Sequence, residues 1–148
     1  MIRYFSLVFL VGLVACDPCE GLDCVTSDYD AQFRLLDKAN GSDLLFGPGR
    51  RYDQHQLKFY ALNGADTTFF VSQVRSGATG TDSILSVLFV PAPELAYLRL
   101  SNGDVDTLNI TYDSRETKCC GTIRNFSTFR YNQLPAAPGA DRVTELRK

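Results

Sequence analysis

The sequence predicts an all-β fold, a single antiparallel β-sandwich of about seven or eight strands with a small β-barrel as the alternative, and three observations carry that reading. From Ala31 onward, apolar residues recur with a period of two. Three Asn-Gly pairs, Asn40-Gly41, Asn63-Gly64 and Asn102-Gly103, stand between strand-like runs, and Asn and Gly tolerate the positive φ that tight hairpins require. No stretch keeps helical spacing for three turns, and Pro93 to Leu98 supports one turn at most. A composition of 10 Phe and 7 Tyr without Trp, rich also in Val, Leu and Thr, suits strands better than helices.

Each run has its own pattern. Gln32 to Asp37 places Phe33 and Leu35 on one face, and Leu57 to Ala61 does the same for Leu57, Phe59 and Ala61. Thr67 to Val74 is rich in Thr, Phe and Val. Ile84 to Val90 is nearly all apolar and reads as a central strand covered on both faces. Thr107 to Tyr112 alternates strictly, with Leu108, Ile110 and Tyr112 pointing inward. Gly47-Pro48-Gly49 and Pro91-Ala92-Pro93 are firm breaks. The pattern resembles an immunoglobulin-like or transthyretin-like sandwich, without the buried Trp of true immunoglobulin domains. Pro135 to Ala140 reads as a breaker-rich linker, and Val143 to Lys148 as an edge strand or loose end.

The start of the chain is a separate unit. Arg3 is its only charge, Tyr4 to Val14 is almost wholly apolar, and Ala15 precedes Cys16, the layout of an export signal. That run is too short for a transmembrane helix, which needs about 20 residues. Leu13-Val14-Ala15-Cys16 resembles the processing box of bacterial lipoproteins at all four positions. The resemblance implies removal of residues 1–15, acyl chains on Cys16, and a chain held in the cell envelope at the outer membrane, on its periplasmic side or at the cell surface. Several acyl chains anchor stably where one binds reversibly. Asp17 and Glu20 are similar to the surface-export signal of Bacteroidota lipoproteins, and small envelope lipoproteins of that phylum are the group the chain resembles.

Residues 16–30 then read as a lipidated cysteine and acidic tether: Asp17, Glu20, Asp23, Asp28 and Asp30 occur there with no basic residue. Residues 31–134 form the domain and 135–148 the terminal linker or edge strand. The 148 residues carry 15 Lys and Arg against 17 Asp and Glu, and loss of Arg3 leaves a net charge of about −3. Such a chain has no electrostatic reason to bind nucleic acid or anionic lipid headgroups.

With Cys16 lipidated, Cys19, Cys24, Cys119 and Cys120 remain, an even set in an oxidising space. A Cys119-Cys120 bond would strain the peptide between them, because disulfides favour a Cα separation of about 5.5 Å and neighbours sit about 3.8 Å apart. Crossed pairs between the tether cysteines and Cys119/Cys120 are therefore expected, in either connectivity. They would close loops of roughly 100 residues. A zinc site is not expected, since only Cys16-Asp17-Pro18-Cys19 has ligand-pair spacing and its first member is the acylation site. A thiol-redox enzyme using Cys119 and Cys120 is the alternative, although no helix start follows them to lower a thiol pKa.

His55, the one histidine, sits in a polar approach to Leu57 with no nucleophile motif around it. No G-x-S-x-G, H-E-x-x-H, phosphate loop or EF-hand spacing is present, so no catalytic residue, metal or cofactor is expected. Asn102 to Asp106 has calcium-friendly oxygens, but a hairpin turn uses the same residues. N-x-S/T triplets begin at Asn40, Asn109 and Asn125, and carry no weight beside a bacterial processing box. Asp66-Thr67-Thr68, Asp82-Ser83-Ile84 and Asp106-Thr107-Leu108 resemble the O-glycosylation acceptors of Bacteroidota, at Thr67, Ser83 and Thr107. The expectation is a non-enzymatic module binding an envelope protein or glycan, or serving as accessory to an outer-membrane complex, through sheet edges and end loops such as Arg75 to Ser83.

Overall fold

The computed structural model describes Cys19, Cys24 and residues 29–76, 83–139 and 143–148. Cys16 and residues 1–15 lie outside that set, as do most of the acidic segment and residues 77–82. Nine strands are present among the described residues: β1 (Asp30–Leu36), β2 (Lys58–Asn63), β3 (Asp66–Ser76), β4 (Ser83–Leu88), β5 (Leu95–Ser101), β6 (Asp104–Thr117), β7 (Gly121–Tyr131), β8 (Leu134–Pro138) and β9 (Thr144–Arg147). The only helical piece among them is a 3₁₀ turn at Gln54–Gln56.

The strands form one closed barrel in the order β1-β4-β3-β2-β5-β6-β7-β8-β9. Every neighbouring pair is antiparallel except the closing one, where β1 and β9 run parallel from Phe33↔Thr144 to Leu36↔Arg147. The sandwich expectation is thus corrected to the barrel. Period-two patterning and short turns are common to both architectures; what separates them is whether the first and last strands meet. Residues 135–148 supply that meeting. The expected linker contributes most of β8, which pairs β7 and β9, and the expected terminal strand forms as β9 but is no edge, since it pairs both β8 and β1. Leu146 and Val143 are buried with the core residues. Pro135 and Pro138 disguise β8 because proline gives no ladder N–H, yet they fall near the ends of a five-residue strand. β1 also begins one residue inside the expected tether, with Asp30 accepting from Ser86 Oγ and pairing with Arg75 at 3.1 Å.

Two of the three expected hairpins form. Asn63-Gly64 joins β2 to β3 with Asn63↔Asp66 paired, and Asn102-Gly103 joins β5 to β6 with Ser101↔Asp104 paired. Asn40-Gly41 instead closes a tight reversal after β1 that ends in the single bridge Leu36↔Asp43. Asp37 Oδ1 accepts from the Ala39 N–H at 2.7 Å and Asn40 Oδ1 from the Ser42 N–H at 2.8 Å, so local side chains hold a turn that no second strand continues. β7 and β8 are joined by Asn132 and Gln133, both at positive φ (47° and 70°), the twist of a type I′ turn.

The alternation read from sequence fills the interior. Phe33, Leu35, Phe59, Phe89, Leu98, Leu100, Leu108 and Leu146 are at most 2 % exposed. Phe33 meets Phe59, Phe89 and Phe129 at centroid distances of 5.2 to 6.2 Å, and Phe70 meets Phe89 at 5.1 Å. Phe33 and Phe59 stack, while the other three pairs meet edge-on and add to area burial because ring edges and faces carry opposite partial charge. β4 is covered on both sides over Ile84 to Val87, as expected, but Leu88 and Val90 are exposed.

Candidate functional site

The four cysteines expected to bond do so in the crossed arrangement. Cys19 joins Cys119 with Cα atoms 5.3 Å apart, and Cys24 joins Cys120 at 5.4 Å. Cys119 and Cys120 occupy the turn between β6 and β7, where Thr117 Oγ1 accepts from the Cys120 N–H at 2.9 Å. Both sulfurs of the vicinal pair are therefore committed to the segment before β1 and not to one another.

The remaining sequence candidates are scattered. His55 is exposed on the 3₁₀ turn, where its N–H donates to Asp53 Oδ1 at 3.0 Å. Thr67 is exposed near the start of β3, whereas Ser83 and Thr107 are half-buried in β4 and β6. Thr107 donates its N–H to Asn132 Oδ1 at 2.9 Å, and the Asp106 before it is buried. The Asp106-Thr107-Leu108 acceptor is thus part of a packed strand.

A cluster that motif reading did not pick out lies at the end of the barrel opposite the β6–β7 turn. Asp106 is in phase with Leu108 and Ile110, so it points inward among apolar residues. Its Oδ2 accepts from the Tyr131 hydroxyl and, at 2.6 Å, from Lys148 Nζ, while its Oδ1 accepts from Asn132 Nδ2 at 2.7 Å. Lys148 Nζ also meets Asp104 Oδ1 at 2.7 Å, and Asp104 Oδ2 accepts from the Tyr52 hydroxyl at 2.9 Å. The hydrogen bond from Lys148 holds the Asp104 carboxyl below its usual range, against burial. Burial alone would lower the Lys148 ammonium, but its bonds to Asp104 and Asp106 outweigh that and raise it. Burial, then the bond to Asp106, pushes Tyr131 far up, and burial with the Asp104 bond raises Tyr52. Asp104 and Asp106, the oxygens of the calcium-like turn, thus face the protein's own ammonium. This is a polar plug with fully matched donors and acceptors, and such groups close a core where an unpaired one would cost several kcal/mol. The sequence signal was the Asp at an inward position of the most strictly alternating strand.

The outer wall departs from a water-facing surface. Tyr60↔Phe69, Tyr60↔Tyr97 and Val71↔Leu88 are register partners across β5, β2, β3 and β4. Phe69 is 62 % exposed and Val71 61 %, with Leu62, Leu88 and Leu95 also exposed. The Tyr60 and Tyr97 rings stack at 5.2 Å with planes 20° apart, so each covers one face of the other. Lys58 Nζ lies 5.8 Å from the Phe69 centroid, and Arg99, its register partner, borders the same patch. Two depressions of about 570 Å³ each lie elsewhere. One lies between Asp30–Gln32 and Phe126–Phe129; the other holds Arg124, Arg130 and Glu94 around Asn109, whose Oδ1 is buried without a hydrogen-bond partner.

These features define an all-β barrel with a packed interior, a disulfide-braced turn and an aromatic outer wall. No protein-family model, curated protein or solved structure matches the chain.

Proposed function

We propose that the chain is an envelope lipoprotein, anchored by acyl chains on Cys16, whose barrel works without catalysis as a docking module for a protein partner. The observation that carries the docking reading is the outer wall where exposed Phe69, Val71 and Leu88 flank the half-buried Tyr60 and Tyr97, on a barrel whose interior is filled by its own Phe residues. Contiguous exposed apolar surface costs solubility and marks interaction sites. Edge docking is set aside, because the first and last strands pair with one another. Exposed Phe69, the branched aliphatics Val71 and Leu88, and the bordering Lys58 and Arg99 suit a protein surface with an apolar centre and acidic rim. Support for the anchor is the Leu13-Val14-Ala15-Cys16 box together with disulfides, which persist in oxidising compartments.

The test of docking is a photo-crosslinking residue in place of Phe69, activated in the native envelope. One discrete adduct, abolished by Val71→Asp and absent when the same probe replaces Ala39, is expected; no adduct, or the same adducts from both positions, overturns it. For the anchor, Cys16→Ser is expected to release the protein from membranes or leave it unprocessed. Processing and retention like the parent would overturn lipidation.

A further inference from the structure

We infer that the β6–β7 turn is the membrane-facing end of the barrel, resting at the level of the lipid headgroups, with the polar plug at the far end. The inference rests on acylation of Cys16 and adds to it an orientation. A chain spans at most about 3.6 Å per residue, so Cys19 lies within roughly 11 Å of the acylated residue. Cys19 is bonded to Cys119 in the β6–β7 turn, at a Cα distance of 5.3 Å. The tip is therefore held within roughly 16 Å of the anchor by covalent structure alone. β6 has 14 residues between that tip and Asp104, which at about 3.3 Å each is more than 40 Å. The leash is less than half the length of the strand it holds. The second bond, Cys24–Cys120, fixes the neighbouring residue of the same turn and opposes swivelling about the first.

The chemistry of the tip fits headgroups and not the hydrocarbon. Arg115, Lys118 and Arg124 stand with Asp113 and Glu116 on the outer part of this hairpin, and Ile123 there is buried. None of the exposed large apolar residues lies between Asp113 and Asn125. Mixed charge without an apolar wedge matches the phosphate and ammonium groups of a lipid surface and gives no drive to insert. The acidic residues beside Cys16 consequently do not work as a long spacer: only Asp17 and Pro18 separate the acylated residue from the first covalent fixture.

The chain contains no Trp, so a single introduced Trp is a unique reporter. The acylated protein, purified whole and reconstituted in phosphatidylcholine vesicles with headgroup-attached nitroxide lipids, would carry Lys118→Trp at the tip or Ala39→Trp beside the plug. Quenching at Lys118→Trp is expected to exceed that at Ala39→Trp roughly twofold or more, because nitroxide quenching falls off within a distance shorter than the barrel. Equal quenching, as from a barrel lying flat, or stronger quenching at Ala39→Trp overturns the orientation. Ser114→Trp and Lys38→Trp repeat the comparison should either first variant fail to fold. Intact mass separates the two failures: a protein lacking acyl chains refutes the anchor, whereas an acylated protein with equal quenching refutes the orientation alone.

Discussion

At the β6–β7 turn, the chain leading into β1 is fastened by two covalent bonds, Cys19–Cys119 and Cys24–Cys120, while at the opposite end the residue following β9, Lys148, is fastened by ion pairs to Asp104 and Asp106. Both fastenings hold a terminal segment against the long strand β6 or its turn. They differ in what undoes them. The disulfides are indifferent to pH over a wide range and yield to reductant. The plug ignores reductant and depends on one ammonium and two carboxylates keeping their charges. A barrel built this way has independent weak points at its two ends, and each can be tested without touching the other.

The largest effect is expected at the covalent end. A loop of about 100 residues closed by a disulfide stabilises by about 4.7 kcal/mol in the chain-entropy model, and the second bond, closing only a small ring beside the first, adds about 2 kcal/mol. Removing Cys24–Cys120 or Cys19–Cys119 alone should therefore cost about 2 kcal/mol, because the survivor still closes nearly the same loop. Removing both should cost about 7 kcal/mol. Urea unfolding of the two single-bond variants and of the bond-free variant checks this. Additive losses would mean that the two bonds constrain different parts of the chain.

At the plug, Asp106→Ala leaves Lys148 Nζ with Asp104 alone and strands the buried Tyr131 hydroxyl. A loss of about 3 kcal/mol is expected, as for one partner of a buried pair, with urea unfolding as the measurement. A loss under half of that would show that water replaces the carboxylate.

The smallest effect is the pH response of the plug. Asp104 is held below its ordinary value by Lys148, so its contribution is present above the ordinary carboxylate value near 4 and fades as pH falls through the depressed one. Lys148 is held above its ordinary value, so its contribution is full below about pH 10 and fades as pH rises through the raised one. Lys148→Met should lower stability by about 1 kcal/mol near neutrality and flatten both flanks of the profile of Tm against pH. Reduction of the disulfides should leave the shape of that profile unchanged.

Much of the barrel was legible because its interior is made by alternation. Phe33, Leu35, Phe59, Leu108 and Ile110 are buried as their spacing required, and two Asn-Gly pairs make the hairpins their dihedral tolerance suggested. Closure was not legible. It depends on β8, where Pro135 and Pro138 mimic a linker, and on β9, a four-residue strand too short to show a period. The crossed disulfides followed from the geometry of neighbouring residues, though which cysteine takes which partner is a matter of tertiary placement. The plug was half visible: Asp106 sits in an inward phase, but its partners Tyr131, Asn132 and Lys148 are brought to it only by the folded barrel. The aromatic wall was hidden by its own strands, since Tyr60, Phe69 and Val71 alternate with residues such as Phe59 and Phe70 that also look like core.

The parallel seam between β1 and β9 has a bearing on the order in which the molecule is made. Phe33 faces Thr144 across roughly 110 residues of sequence, among the slowest kinds of contact to find by chain diffusion. As the chain emerges from its N-terminal side, the hairpins β2–β3, β5–β6 and β6–β7 can form as soon as their two strands are out. β1 must wait for β4 on one side and for Arg147 on the other. Until that moment the sheet is an open ribbon with bare backbone at β1 and a half-covered Phe cluster behind it, the state in which a chain pairs with its neighbours instead of itself. The seam is thus the last stitch, and the interval before it is drawn tight is when this barrel is most exposed to misassembly.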